Sequence, residues 1–212
     1  MKKCIGIISY LPDDEKVREV RVRRLNKLLH KLDEIFNLPI IIIAQNYQDF
    51  LPNSDNYILI ESTKPLGIVG ARKKLRKVFL ESNYDCLIML DDDSDIIGTR
   101  DDAKKYLDQL DQHPGMFYEF NKSLLKLFAI SKEVYENIDF DDINPEKGEG
   151  FEDRIFVAKL REKFPDKRFI IEKGKLDEYS ISTMDANSTW YTNQDIKQML
   201  NNTEQIIKEL KM

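Results

Sequence analysis

Short, unbroken apolar runs alternate with helix-periodic segments through the first ninety residues. Ile5 to Ser9, Pro39 to Ala44, Tyr57 to Ile60 and Cys86 to Leu90 are too short for typical helices. All four have the length of strands, and Cys86 to Leu90 has the unbroken apolar character of a strand covered on both faces. Between the first two, Pro12, Asp13 and Asp14 open a helix with acids at its positive end. Val22, Leu25, Leu29, Leu32 and Phe36 then recur at helical spacing as a core-facing stripe. A glycine-bearing turn over Gly67 to Gly70 precedes a helix over Ala71 to Glu81, which packs through Leu75, Val78 and Phe79. This order predicts an α/β domain with a parallel, doubly wound sheet.

The second half is less regular. Asp101 to Leu110 reads as a helix that His113, Pro114 and Gly115 break, and Met116 to Phe120 and Leu124 to Ile130 read as two further strands. Lys132 to Asn137 is expected to form a short helix, Asp139 to Gly150 a polar loop, Glu152 to Phe164 a helix ending before Pro165, and Arg168 to Ile171 a strand. Thr192 and Asp195 form a capping box for a final helix whose apolar side is Ile196, Leu200, Ile207 and Leu210. The expected division is a main domain over 1–175 and an extension over 176–212 whose terminal helix packs on it.

Composition narrows the class without naming a function. The 212 residues are 42% hydrophobic and 33% charged, as in soluble globular chains. A net charge of -5 argues against a general nucleic-acid binder, though it leaves room for a local basic patch. Cys4 and Cys86 both fall in buried strands, where cysteine acts as a small core hydrophobe. With only His30 and His113 to join them, a zinc site is not expected. No stretch has the length of a membrane span, so the expected location is the cytoplasm.

The chemistry concentrates at the end of the fourth strand, where Asp91, Asp92 and Asp93 follow Leu90, with Asp95 just beyond. In open α/β sheets ligands bind at the strands' carboxyl ends. Packing carboxylates this closely is costly unless a cation or a hydrogen-bond network compensates. The Asp91-x-Asp93 pair offers hard oxygen ligands of the kind that suit Mg²⁺ or Mn²⁺ carrying a substrate phosphate.

Lys64-Pro65-Leu66-Gly67-Ile68-Val69-Gly70-Ala71-Arg72, a helix, and then Leu90-Asp91-Asp92-Asp93 together resemble the GT-A nucleotide-sugar glycosyltransferases, particularly the inverting family 2. Phe128 to Tyr135 is similar to that family's strand and helix before its acceptor loop, and Gly148 to Arg154 to its Glu-Asp motif. The resemblance covers roughly residues 3 to 172. It implies a single Rossmann-like GT-A domain, with a mostly parallel central sheet flanked by helices. The implied activity is metal-dependent transfer of a sugar from a nucleoside diphosphate to an acceptor hydroxyl, with inversion.

Residue by residue, the resemblance implies Asp153 as catalytic base and Glu152 as its orienting neighbour. Asp93 would hold the Mn²⁺ or Mg²⁺, and Asp91 would be a second metal contact or a ribose ligand. Ser9, Tyr10, Asn46, Gly70, Arg72 and Asp92 complete the expected donor-binding set, with Arg72 approaching the phosphates from the start of its helix. Lys73, Lys74, Arg76 and Lys77 read as a solvent-facing helix surface. Many relatives carry an acid after the second strand where this chain has Gln45 and Asn46, which leaves the nucleotide base open; a UDP-sugar is the first expectation. Trp190 and Tyr191 read equally well as sugar-stacking or as core residues.

The acceptor is open among glycan, wall polymer, lipid-linked sugar, protein and modified nucleic acid, and so is the oligomeric state. Three rivals remain. One is a phosphotransferase or phosphatase using Asp91-x-Asp93, although that signature normally sits on an early strand. Another is a nucleotidyltransferase, although Ser9-Tyr10-Leu11-Pro12 is not its glycine-rich loop. The third is an inactive nucleotide-sugar-binding module.

Overall fold

The computed structural model describes residues 1–47, 54–120, 127–141, 152–172 and 174–180. The expected final helix and its capping box, Trp190, Tyr191, and most of the loop over 139–150 lie outside these residues, as does Leu124, the expected start of a strand. Nine strands are described: β1 (Lys3–Tyr10), β2 (Ile40–Gln45), β3 (Tyr57–Ser62), β4 (Cys86–Asp91), β5 (Ser94–Ile97), β6 (Phe117–Phe120), β7 (Phe128–Ser131), β8 (Arg168–Ile171) and β9 (Asp177–Ser180). The helices are α1 (Glu15–Ile35), α2 (Gly67–Glu81), α3 (Arg100–Gln112), α4 (Lys132–Tyr135) and α5 (Glu152–Lys163).

Seven strands form one sheet in the order β3-β2-β1-β4-β7-β6-β8. The pairings of β1 with β2 and β4, β2 with β3, and β6 with β8 are parallel; β7 alone runs against its neighbours. The sheet is therefore mostly parallel, as the alternation of runs and periodic segments implies. The reversal at β7 follows from the return of the chain after β6, which the apolar pattern does not encode.

Alternate residues of the buried strands feed two cores. Ile5, Ile7, Ile40, Ile42, Ile88 and Leu90 pack with Leu25, Leu29 and Leu32 of α1 and Tyr106 of α3. Cys4, Ile41, Ile43, Leu87 and Met89 pack on the other face with Leu75 and Phe79 of α2 and Phe156 of α5. The two cysteines thus point to opposite faces of the sheet, both buried and both free.

Local chemistry sets the helix ends. Asp14 caps α1 by accepting from the Val17 N–H at 3.0 Å. Asn37 closes it in the left-handed region at φ 50°, its N–H reaching the Leu32 carbonyl at 3.1 Å. Thr99 and Asp102 form a reciprocal capping box on α3. The turn expected over Gly67 to Gly70 is instead the first turn of α2. Only Gly67, at φ 67°, carries the glycine-dependent bend.

Two strands have no counterpart in the sequence reading. β5 and β9 pair as an antiparallel ribbon, Ser94 opposite Ser180 and Ile97 opposite Asp177. Ser94 to Ile97 follows the acidic turn at once and has no long apolar run to mark it. Another contact invisible in sequence ties the far edge of the sheet to α5. Glu119 is 1% exposed and bonds both Arg161 (2.7 and 2.9 Å) and Arg168 (3.0 and 2.6 Å). Burial works to raise the Glu119 carboxyl, but the bonds from Arg161 and Arg168 outweigh it and hold the group below the usual carboxylate range.

Gly6 lies at the centre of β1, where α2 crosses the sheet. A Cβ there would sit 2.8 Å from Leu87 Cδ1 and 2.9 Å from both Leu75 methyls. Gly6→Val is expected to lower stability by about 2 kcal/mol through overpacking, read as a fall in the denaturant midpoint without a change in slope.

Candidate active site

The pleat of β4 decides where each aspartate goes. Leu87 and Met89 face α2, while Ile88 and Leu90 face α1. Continued by one residue, the alternation sends Asp91 to the α2 side. There Arg72 Nη2 donates to its Oδ1 at 2.6 Å. The next residue, Asp92, goes to the α1 side, where it accepts from the Ser9 hydroxyl and lies 3.6 Å from Arg21 Nη1. Ser9 is also bonded to the Tyr47 hydroxyl. Each helical layer thus meets one acid with one guanidinium.

These groups line a cleft of about 310 Å³ at the carboxyl edge of the sheet. Its floor carries Asp91, Asp92 and Asp93, and its walls include Ser9, Tyr10, Arg21 and Gln45. Arg72, Glu152 and Asp153 close the α2 side, with Ile8 and Ile68 as apolar patches. Eight of the ten sequence-named site residues therefore share one space, although Asp91 and Asp153 are separated by more than sixty positions in the chain.

Asn46 and Gly70 do not line it. The Asn46 amide ties the β1–α1 turn, donating to the Leu11 carbonyl at 2.9 Å and to Asp13 Oδ1 at 3.1 Å. Its own φ of 62° turns the chain out of β2. Gly70 is helical, with Leu66 Cβ only 3.2 Å from where its own Cβ would be, so it serves the close approach of the turn. Gln45 takes the wall position instead. Its Oε1 accepts from the Leu66 N–H at 2.7 Å and its Nε2 donates to the Ser9 carbonyl at 3.4 Å. The period-2 pattern of β2 puts Gln45 on the α2 side, a signal the sequence did carry.

The basic face of α2 also divides. Arg72 is 2% exposed and lies in the second turn, beyond the free N–H groups of the helix start. Arg76 caps α4, donating to the carbonyls of Tyr135 (3.1 Å), Glu136 (3.0 Å) and Ile138 (2.8 Å). Lys73 pairs with Asp141 at 2.9 Å. Arg21, one of several arginines on α1, is the cation that sequence spacing alone did not single out. Its Nη1 also donates to the Tyr10 carbonyl at 3.2 Å.

Five carboxyls face two guanidiniums in this cleft, and the imbalance appears in their proton affinities. Burial pushes Asp92 up to about 6, with Asp93 and Asp91 adding to the rise against the pull of Arg21 and Ser9. Burial likewise pushes Glu152 up to about 7, with Arg72 opposing and Asp153 and Asp91 reinforcing. Asp153 is raised in the same way by burial, partly offset by the Arg154 N–H that it accepts at 2.8 Å. Among the described residues no three histidines, cysteines or acids converge as a cage for a metal ion. The donor set suits a hard cation that draws its remaining oxygens from a bound ligand and water.

No protein-family model matches the chain, and no curated protein matches it in sequence. Solved structures do resemble it. A structure of S. aureus TarS in complex with UDP-GlcNAc gives a TM-score of 0.62 at 11% identity, covering 99% of this chain and 71% of that one. A longer TarS structure gives 0.57 at 11% identity; it covers 99% of this chain, which spans 43% of its length. A Bacillus anthracis protein assigned as a glucose-1-phosphate thymidylyltransferase, in complex with a sucrose, gives 0.53 at 10% identity with 95% of each chain covered. At these identities the likeness is one of fold alone, and the fold is GT-A-like. No helix among the described residues is long and apolar enough to cross a membrane.

Glu152 generates a pH signature. A carboxyl raised from 4.5 to about 7 on folding gives stability that is present below pH 4.5 and lost as pH rises through 7. Between pH 4.5 and 7 the Glu152 contribution falls by about 3 kcal/mol at most. Glu152→Gln is expected to flatten the decline of the thermal midpoint across that interval; an unchanged slope would remove Glu152 as its source.

Proposed function

We propose that the chain transfers a sugar from a nucleoside diphosphate donor to an acceptor hydroxyl. The observation that carries this reading is the joint lining of one cleft by the aspartates that end β4 and the Glu152–Asp153 pair that opens α5. Their separation in sequence makes the meeting informative, and its place at the carboxyl edge of a mostly parallel sheet is where such folds bind ligands. The TarS structure bound to UDP-GlcNAc supports a UDP-sugar as the first donor to test.

In this reading the residues divide the work. Asp91 and Asp93 hold a divalent cation, which supplies Lewis-acid charge for the departing diphosphate. Arg72 fixes the Asp91 carboxylate in one orientation and adds a permanent positive charge at the cleft wall. Arg21 and Ser9 hold Asp92 inward, so Asp92 shapes the floor beside Asp91 and Asp93. Tyr10 and Gln45 border the nucleotide base. Asp153, made more basic by burial, takes the acceptor proton as the new bond forms opposite the leaving group, which inverts the anomeric centre. Glu152 orients the acceptor beside it. The acid-rich cleft disfavours an anionic nucleophile and favours a neutral hydroxyl.

The rivals fit less well. The chain shares its fold with a nucleotidyltransferase-like protein, but nucleotidyl transfer uses an ionised phosphate as nucleophile and needs no general base at Asp153. The phosphatase reading expects its Asp-x-Asp pair on an early strand, whereas three strands precede β4.

A panel of UDP-, GDP- and TDP-sugars with Mn²⁺ tests the proposal by thermal shift and nucleotide release. One donor is expected to stabilise the protein and to hydrolyse slowly, with both effects lost in Asp93→Ala. Asp153→Asn is expected to keep donor binding and lower transfer about 10²- to 10⁴-fold. If no donor binds or turns over, or if Asp153→Asn transfers normally, the mechanism fails; phosphate release from phosphomonoesters would select the phosphatase.

A further inference from the structure

Three buried side chains behind the cleft carry hydrogen-bonding atoms that the reaction above does not use. Arg72 is 2% exposed, Glu152 5% and Tyr135 0%. Arg72 commits Nη2 to Asp91. Its Nε and Nη1, Oε2 of Glu152 and the Tyr135 hydroxyl have no hydrogen-bond partner among the described residues. Leaving such atoms unmet is costly, the more so where the group is charged.

Their placement is set by three elements. The Tyr135 ring lies 5.8 Å from Phe156 of α5 and 6.0 Å from Phe79 of α2, with the Arg76 guanidinium 5.6 Å from its centroid. Arg76 is four residues beyond Arg72, and Phe156 four beyond Glu152, so each ring partner lies about one turn deeper on its helix than the buried charge. Both helices begin at the cleft. Arg72 acts electrostatically on both Glu152 and Tyr135, yet no two of the three are in hydrogen-bond contact.

A water molecule suits this set. It can accept from one of the two unmet Arg72 N–H groups, which point in different directions, and from the Tyr135 hydroxyl, and donate to Glu152 Oε2. We propose that one buried water bridges Arg72, Glu152 and the Tyr135 hydroxyl, and that Tyr135 is thereby a positioning residue for the Glu152–Asp153 pair. Through this bridge the charge that fixes Asp91 also fixes the start of α5, so the two halves of the cleft are held at one spacing. The bridge itself stands on the buried atoms; its effect on turnover rests on the transferase reading.

A high-resolution crystal structure tests the bridge directly. Density for a water within about 3.2 Å of all three side chains is the expected result, and its absence would overturn the proposal. Tyr135→Phe keeps the ring and removes the hydroxyl. In that variant the water is expected to disappear and UDP affinity to stay within about twofold, while the rate constant for transfer falls about 10- to 100-fold. A lowered thermal midpoint with the rate constant intact would make Tyr135 a packing residue and overturn its positioning role. If the parent protein binds no nucleotide, the transferase reading fails, while the bridge is still decided by the density.

Discussion

Consecutive acids at a strand end cannot share one direction, and this constraint organises the site. Asp91 and Asp92 leave β4 towards opposite layers, and each layer answers with an arginine: Arg72 from α2 and Arg21 from α1. The repulsion of a carboxylate cluster is thereby divided between two guanidiniums instead of being borne in one place. Neither pairing is a simple stabilising contact. Arg72 is almost wholly buried while Asp91 is half exposed, so the pair faces a cleft on one side and the α2 core on the other. A buried guanidinium of this kind is better explained by the geometry it imposes than by the stability it adds.

The surrounding fold serves that arrangement. The parallel strands β1, β2 and β4 end together, bringing Ser9, Gln45 and the β4 acids to one edge. Gly6 lets α2 lie close enough to the sheet for Arg72 to reach Asp91. Arg76 anchors α4 beneath it, and the Tyr135 ring fills the angle between α2 and α5. The acids of α5 are then presented from the side opposite the arginine of α1. The result is a cleft whose acids outnumber its cations.

Much of the fold is legible in the chain because burial on both faces leaves long apolar runs. β1, β2 and β4 stand out for that reason, and α1 for its stripe. The end of α1 at Asn37 and the cap at Thr99 follow from side-chain chemistry in adjacent residues. β5 and β9 are not legible: Ser94 to Ile97 becomes a strand only because residues 177–180, some eighty positions away, supply its hydrogen-bonding partner. The Glu119 triad is equally hidden, since nothing local marks Glu119 as an interior acid or Arg161 and Arg168 as its partners.

For the site, the candidate groups are legible along the chain: the aspartates after an apolar strand, the arginine at the start of a helix, and the Glu-Asp pair downstream are types and spacings written there. Which of them face one another is settled by packing. It brought Gln45 and Arg21 to the cleft, left Asn46 and Gly70 to the backbone turns, turned Asp92 inward and buried Arg72. The reason is physical. Residue type fixes what a group can do and strand and helix periodicity fix its face, whereas which faces meet is set by the packing of distant elements, which is no local property of the sequence.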